Sequence, residues 1–122
     1  MTETVRNYQE LKIWQKGIQV VKMVYALTKS FPQSEAYGLS SQMQRSAVSI
    51  PSNIAEGQAR QHSGEFRQFL YTALGSAAEL DTQLVIAVEL EYATADVTQP
   101  IIDLLLEIRK MTYALIKKLP QK

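Results

Sequence analysis

Apolar residues recur three and four positions apart along almost the whole chain. Leu11, Trp14, Ile18, Val21, Tyr25 and Thr28 form one such strip, and Ile13, Gly17, Val20, Val24, Leu27 and Phe31 repeat the spacing beside it. This is the period of an amphipathic helix, here with an unusually wide apolar face. The helix is expected over about 8–30, because Pro32 disfavours helical geometry at the residue before it and opens the turn Phe31-Pro32-Gln33-Ser34. A second helix, about 34–60, buries Leu39, Met43, Ala47, Ile50 and Ile54. Pro51 interrupts it, but the spacing continues in phase, which predicts one helix kinked at Pro51. The alternative, a new helix starting at Pro51, would leave Ser49 and Ile50 extended.

Gln61-His62-Ser63-Gly64 reads as a turn with Ser63 as N-cap of a third helix, about 63–91. Its strip is Phe66, Leu70, Ala73, Ala77, Leu80, Leu84 and Ala87, and the three alanines suit close helix packing. A fourth helix, about 98–119, carries Ile101, Leu105, Ile108, Thr112, Leu115 and Leu119, with Pro100 expected in its first turn, where a missing N–H costs nothing. No strand-like alternation and no long linker occurs. The expected architecture is all-α: a single antiparallel up-down-up-down four-helix bundle.

Composition narrows the chemistry. With 122 residues, 46% hydrophobic and 20% charged, the chain suits one globular domain and no more. There is no cysteine, so thiolate ligands, disulfides and cysteine nucleophiles are excluded. The longest uncharged run, Gln68 to Ala78, is too short to span a bilayer, and Met1 to Asn7 lacks the apolar core of a signal peptide. A cytoplasmic protein without a membrane partner is expected. The metal chemistry that such bundles host needs paired Glu-x-x-His motifs, whereas this chain has one histidine, His62, with Glu56 six residues before it. No metal, cofactor or catalytic residue is expected, and the chain is read as a non-enzyme.

The segments Tyr37-Gly38-Leu39, Gln42, Arg45 and Ser49-Ile50-Pro51-Ser52-Asn53-Ile54-Ala55-Glu56-Gly57 resemble a four-helix-bundle family encoded within intervening sequences of bacterial 23S ribosomal RNA genes. Leu11, Trp14, Phe31-Pro32 with Glu35, Gly75-Ser76 and Glu79-Leu80 extend the resemblance over nearly the whole chain. It implies a ring-like homopentamer with no established enzymatic activity. The chain also resembles the accessory bundle protein of diversity-generating retroelements, which implies contact with a reverse transcriptase and nucleic acid.

Three groups of residues are candidates for function. Arg45, Asn53 and Glu56 on the second helix, with Glu79 on the third, form a polar cluster that is either a binding site or a hydrogen-bond network fixing register. Phe69, Thr72, Ser76, Gln83 and Ile86 form a strip beside the core of the third helix, either a solvated flank or a subunit interface. The third group emerges from charge. Thirteen Lys and Arg against twelve Asp and Glu give a net charge of only +1, which exerts no global pull on nucleic acid. Folding into a bundle nevertheless gathers Arg6, Lys12, Lys16, Arg60, Arg67, Lys117, Lys118 and Lys122 at one end, against Glu3, Glu10, Glu56 and Glu65. The other end collects Glu35, Glu89, Glu91 and Asp96 against Lys29. The basic end is a candidate surface for RNA or DNA phosphates in an assembled ring, or simply a set of solvated terminal lysines. A partner protein remains the alternative to nucleic acid.

Overall fold

A computed structural model describes residues 8–120, so Arg6 and Lys122 lie outside the described residues. The chain forms α1 (Lys12–Thr28), α2 (Leu39–Ala59), α3 (Ser63–Glu89) and α4 (Ala95–Lys118), with short 3-10 turns at Tyr8–Glu10 and Gln33–Glu35. Each helix packs on its sequence neighbours and α1 also packs on α4, giving the cyclic order α1-α2-α3-α4 around one core. Cross-helix contacts fix the antiparallel direction. The Gln44 amide donates to Thr28 Oγ1 (3.0 Å), Ser49 Oγ lies 2.8 Å from Ser76 Oγ, and Arg109 reaches Asp81 (3.4 Å).

Of the two strips on α1, the one through Ile13, Gly17, Val20, Val24 and Leu27 enters the core, and Phe31 completes it beyond the helix end. Trp14, Ile18 and Val21 are only half-buried, and Tyr25 is exposed. Both strips satisfy the same period, so spacing alone does not choose between them. The helix α2 is continuous through Pro51, so no new helix begins there. The proline ring lies against Gly17 of α1, where a Cβ would stand 3.3 Å from both Cβ and Cδ of Pro51. Glycine thus gives the ring its seat.

Several helix starts differ from expectation: α1 begins at Lys12 and α2 at Leu39, four and five residues later than the spacing predicts, with 3-10 turns before them. His62, not Ser63, is the N-cap residue of α3, and it makes no side-chain capping bond. Helix α4 begins at Ala95, which puts Pro100 in its second turn rather than its first. There the missing N–H deprives the Asp96 carbonyl of its intrahelical donor.

The start of α2 is capped by a side chain outside the helix. Glu35 accepts the Leu39 N–H through Oε1 (2.9 Å) and the Tyr92 hydroxyl through Oε2 (2.9 Å). Tyr92 is delivered there by the end of α3. Glu91 adopts φ 64, the left-handed conformation, while Tyr92 N–H donates to Ala87 O (2.8 Å) and Glu91 N–H to Val88 O (2.9 Å), a Schellman-type stop with glutamate where glycine is usual. The Tyr92 ring also packs on Phe31, with centroids 5.5 Å apart. One carboxylate therefore joins the α1–α2 turn to the α3–α4 turn.

That link is charge-dependent. The Leu39 amide, and secondly the Tyr92 hydroxyl, hold the Glu35 carboxyl below the usual carboxylate range, while the bond to Glu35 pushes the Tyr92 phenol up. A lowered carboxylate pKa means stability present above the ordinary value and lost as pH falls through the lowered one. The raised phenol has the opposite sense: its contribution holds below the ordinary tyrosine value and fades as pH rises through the raised one. The difference in Tm between the wild type and Glu35→Gln should therefore be largest near neutrality and vanish in acid. A difference that persists unchanged well below the carboxylate range would show that the charge is not involved.

Candidate functional site

The α2–α3 seam gathers most of the polar residues marked in the sequence. Small side chains let the two helices approach closely, and their hydroxyls find partners in the gap. Ser46 Oγ donates to Gln83 Oε1 (2.7 Å) and is also within reach of Met43 O (3.2 Å). The Asn53 amide donates to Ser49 O (2.8 Å) and Ser49 Oγ (2.9 Å), and Ser49 in turn pairs with Ser76. Gln83 Nε2 points at Glu79 Oε2 (3.4 Å). Among the described residues no buried side-chain nitrogen or oxygen lacks a partner.

This arrangement corrects part of the expected interface strip. Ser76 and Gln83 face α2 inside the protomer, 9% and 4% exposed, because their hydrogen-bond partners lie there. Phe69 is half-buried, while Thr72 and Ile86 are exposed. Of the polar cluster, Asn53 belongs to the internal network, and Arg45, Glu56 and Glu79 stand exposed along its rim. Arg45 forms no ion pair among the described residues.

The Asn53-Ile54-Ala55-Glu56-Gly57 segment acquires a physical meaning in this seam. Ile54 is fully buried, and Gly57 lies so close to α3 that an added Cβ would meet Phe69 Cβ at 2.7 Å and Phe66 Cδ1 at 2.9 Å. Arg60 bonds Glu56 one turn earlier (3.1 Å), lies 4.0 Å from Glu65, and stacks over the Phe69 ring, 5.0 Å from its centroid. These exposed ion pairs are worth little individually, but the stacked guanidinium closes the edge of the seam.

At the basic end the structure divides the expected cations into two sets. Lys16 is tied to Glu107 of α4 (3.3 Å), Arg60 is held as described, and Arg67 donates to the Pro120 carbonyl. Lys12, Lys117 and Lys118 are exposed and form no ion pair among the described residues. The Lys16 pairing is a correction: it draws that charge toward the waist of the bundle, because Glu107 lies about three turns in from the end of α4.

His62 is exposed in the α2–α3 turn, and among the described residues no group of three His, Cys, Asp or Glu side chains lies close enough to hold a metal ion. No helix among them is long and apolar enough to cross a membrane. Among the described residues the concave surfaces include three shallow clefts. One, of about 270 Å³, runs along the α1–α2 face past Trp14, Ile18, Val21, Val48, Pro51 and Ala55. Two others lie between α1 and α4: about 430 Å³ beside Lys16, Met23 and Glu107, and about 300 Å³ beside Met23, Ala26 and Val97. On the opposite side Tyr71, Val85, Leu106 and Tyr113 are about half exposed.

The bundle and its α2 motif define a chain of the intervening-sequence class. The model of the 23S rRNA-intervening sequence protein family matches residues 9–114, and the chain belongs to that family. It is similar to a crystal structure of a Bacteroides thetaiotaomicron protein of unknown function from the S23 ribosomal protein family. The two share 27% sequence identity, with a TM-score of 0.78 over 87% of this chain and 99% of that one. No curated protein sequence matches.

Proposed function

We propose that this protein is a non-catalytic cytoplasmic scaffold that assembles from identical subunits, a ring of five by the resemblance to its family. The observation that carries the reading is the outward apolar surface. Tyr25, Val48, Tyr71, Val85, Leu106 and Tyr113 are 39–53% exposed on a chain whose interior is already closed. Apolar patches recurring along helix faces mark interaction sites more often than free surface. The polar seam supports a structural role over a catalytic one, since its hydroxyls and amides are engaged with one another. Sedimentation velocity over a dilution series is expected to give a species of several times the 13.8 kDa chain mass. A dilution-stable monomer would refute assembly.

A second element of the reading is phosphate contact at the basic end, supported by Lys12, Lys117 and Lys118, which are exposed and form no ion pair among the described residues. The family description makes 23S ribosomal RNA the natural first probe. Labelled RNA and DNA titrated at low and moderate salt should bind with a steep salt dependence, because each neutralised phosphate releases counterion. Replacing Lys117 and Lys118 with Gln should flatten that slope by about one to two units in log–log form. Absence of binding at low salt would leave a purely protein-binding scaffold.

A further inference from the structure

The two clefts between α1 and α4 share Met23 and so form one continuous groove. Its floor is apolar, made by Met23, Leu27, Ile101 and Leu104, with Ala26 and Val97 at the edges. The Lys16–Glu107 ion pair lies across one end, and the other end opens at Leu27 and Val97. From Lys16 to Leu27 helix α1 rises about 16 Å, or about three turns. The two walls differ in charge. Exposed Asp96, Asp103 and Glu107 succeed one another along one strip of α4, two turns and then one turn apart. Glu107 is taken by Lys16, but Asp96 and Asp103 form no ion pair among the described residues; the neutral Gln99 amide donates to Asp103 (2.8 Å) and leaves its charge uncompensated. The α1 wall, with Gln19, Met23 and Ala26, adds no charge beyond Lys16, and Lys22 and Lys29 stand outside the lining. A further acceptor belongs to the α4 wall. Pro100 lines the groove, and it leaves the Asp96 carbonyl beside it without an intrahelical donor.

We propose that this groove docks a basic amphipathic helix of a different protein, about three turns long, with aliphatic side chains inward and Lys or Arg on the flank that meets α4. Aliphatic anchors at i, i+4 and i+7 match the length and apolar floor of the groove, which is the mode in which a helix lies in a hydrophobic channel between two others. The flanking cations meet Asp96 and Asp103, and their N–H groups supply the donor that the Asp96 carbonyl lacks within its own helix. An acidic or neutral helix of the same apolar pattern gains neither contact. Charge thus selects the partner, while the floor supplies the buried area. The inference rests on the scaffold reading only in that the groove stays open when subunits assemble: of Tyr25, Val48, Tyr71, Val85, Leu106 and Tyr113, none lines it.

The probe is a panel of stapled, fluorescein-labelled three-turn peptides with aliphatic residues at i, i+4 and i+7 and either Lys and Arg or Glu on the flanks. Fluorescence anisotropy against the full chain is expected to show binding of basic members, weakening as salt rises, and none of the acidic ones. Ala26→Arg fills the groove from an exposed helical position and should weaken binding at least about tenfold. Asp103→Lys should turn the preference toward the acidic peptides, a reversal that mere loosening of the fold does not produce. Glu89→Lys makes the same change of charge outside the groove and should leave binding as in the wild type. Circular dichroism checks folding; should a variant fail, Val97→Arg replaces Ala26→Arg, and Asp103→Asn, which abolishes the preference without reversing it, replaces Asp103→Lys. Absence of binding by every basic peptide at low salt, equal binding of basic and acidic peptides, or an unchanged affinity in Ala26→Arg overturns the inference. So does a Glu89→Lys effect as large as that of Asp103→Lys. Ala26→Arg sedimenting as a smaller species than the wild type makes the occupant a second copy of this chain, and likewise overturns it. A monomeric wild type that still binds the basic peptides refutes the assembly reading alone.

Discussion

Gly57→Ala should destabilise the bundle, whereas Gly75→Ala should stabilise it, although both glycines lie inside helices. Alanine is favoured over glycine in a helix interior by roughly 1 kcal/mol. At Gly75 nothing lies within 4 Å of the added methyl, so that gain is realised in full. At Gly57 the methyl would stand 2.7 Å from Phe69 Cβ, an atom held by the α3 backbone, and 2.9 Å from the Phe66 ring. The ring can rotate away. The Cβ can move only if α2 and α3 separate, which breaks the Ser49–Ser76 contact along the same seam. Overpacking of this kind costs about 1–3 kcal/mol. Chemical denaturation should show Gly57→Ala with a lower midpoint and Gly75→Ala with a higher one. Equal shifts of the same sign would contradict the close approach at Gly57.

The second large effect is an asymmetry between two partners in one hydrogen bond. Ser46 and Gln83 meet at 2.7 Å in the buried part of the seam, yet their alternatives differ. Ser46 retains the Met43 carbonyl as an acceptor when Gln83 is removed. Gln83 Oε1 has Ser46 as its donor, and Ser46→Ala leaves that oxygen buried without one. A buried acceptor stripped of its donor costs about 1–3 kcal/mol, while exchanging both partners for apolar groups of similar shape can be nearly neutral. Ser46→Ala should therefore cost clearly more than Gln83→Leu, with the double variant recovering much of the loss. A double-mutant cycle measures the coupling directly. If the two single variants are equally destabilised, the Met43 alternative is not used.

How much of this was legible in the sequence follows from what periodicity can encode. The four helices and most core positions of α2, α3 and α4 are readable because burial on one side of a helix imposes a spacing of three and four. Leu39, Phe66, Leu115 and Leu119 are nevertheless only half-buried, and Ile116 enters the core of α4 instead. Periodicity does not rank two equally apolar strips, so the choice of Ile13, Val20 and Val24 over Trp14, Ile18 and Val21 had to await the neighbouring helices. Ser76 and Gln83 escape sequence reading for a related reason. Their polarity reads as an outward face, and only the opposing Ser46 and Ser49 show that polar groups can be buried in pairs. The position of Lys16 along α1 places it at the basic end, whereas its ion pair depends on a residue 91 positions later, at Glu107. Capping was also hidden. A serine beside a turn suggested the start of α3, yet no side chain caps it, and the side chain that does cap a helix is Glu35, outside α2 altogether. The resemblance had marked Glu35 and Gly38 without a reason. The geometry supplies one, since a Cβ on Gly38 would lie 2.6 Å from Glu35 Oε1 and displace the capping carboxylate.

The seat of Pro51 against Gly17 bears on why this sequence has one native arrangement and not several. A strip of apolar residues spaced three and four apart looks nearly the same after a slip of one helical turn, so two such helices could pair in adjacent registers at similar energy. Sliding α1 by a turn would bring Ile13 or Val21 to the proline ring in place of a bare Cα, with no room for either. The near-degenerate alternatives are thereby raised in energy while the native pairing is untouched. An interior proline, a local defect for α2, thus widens the gap that separates the folded state from its closest competitors.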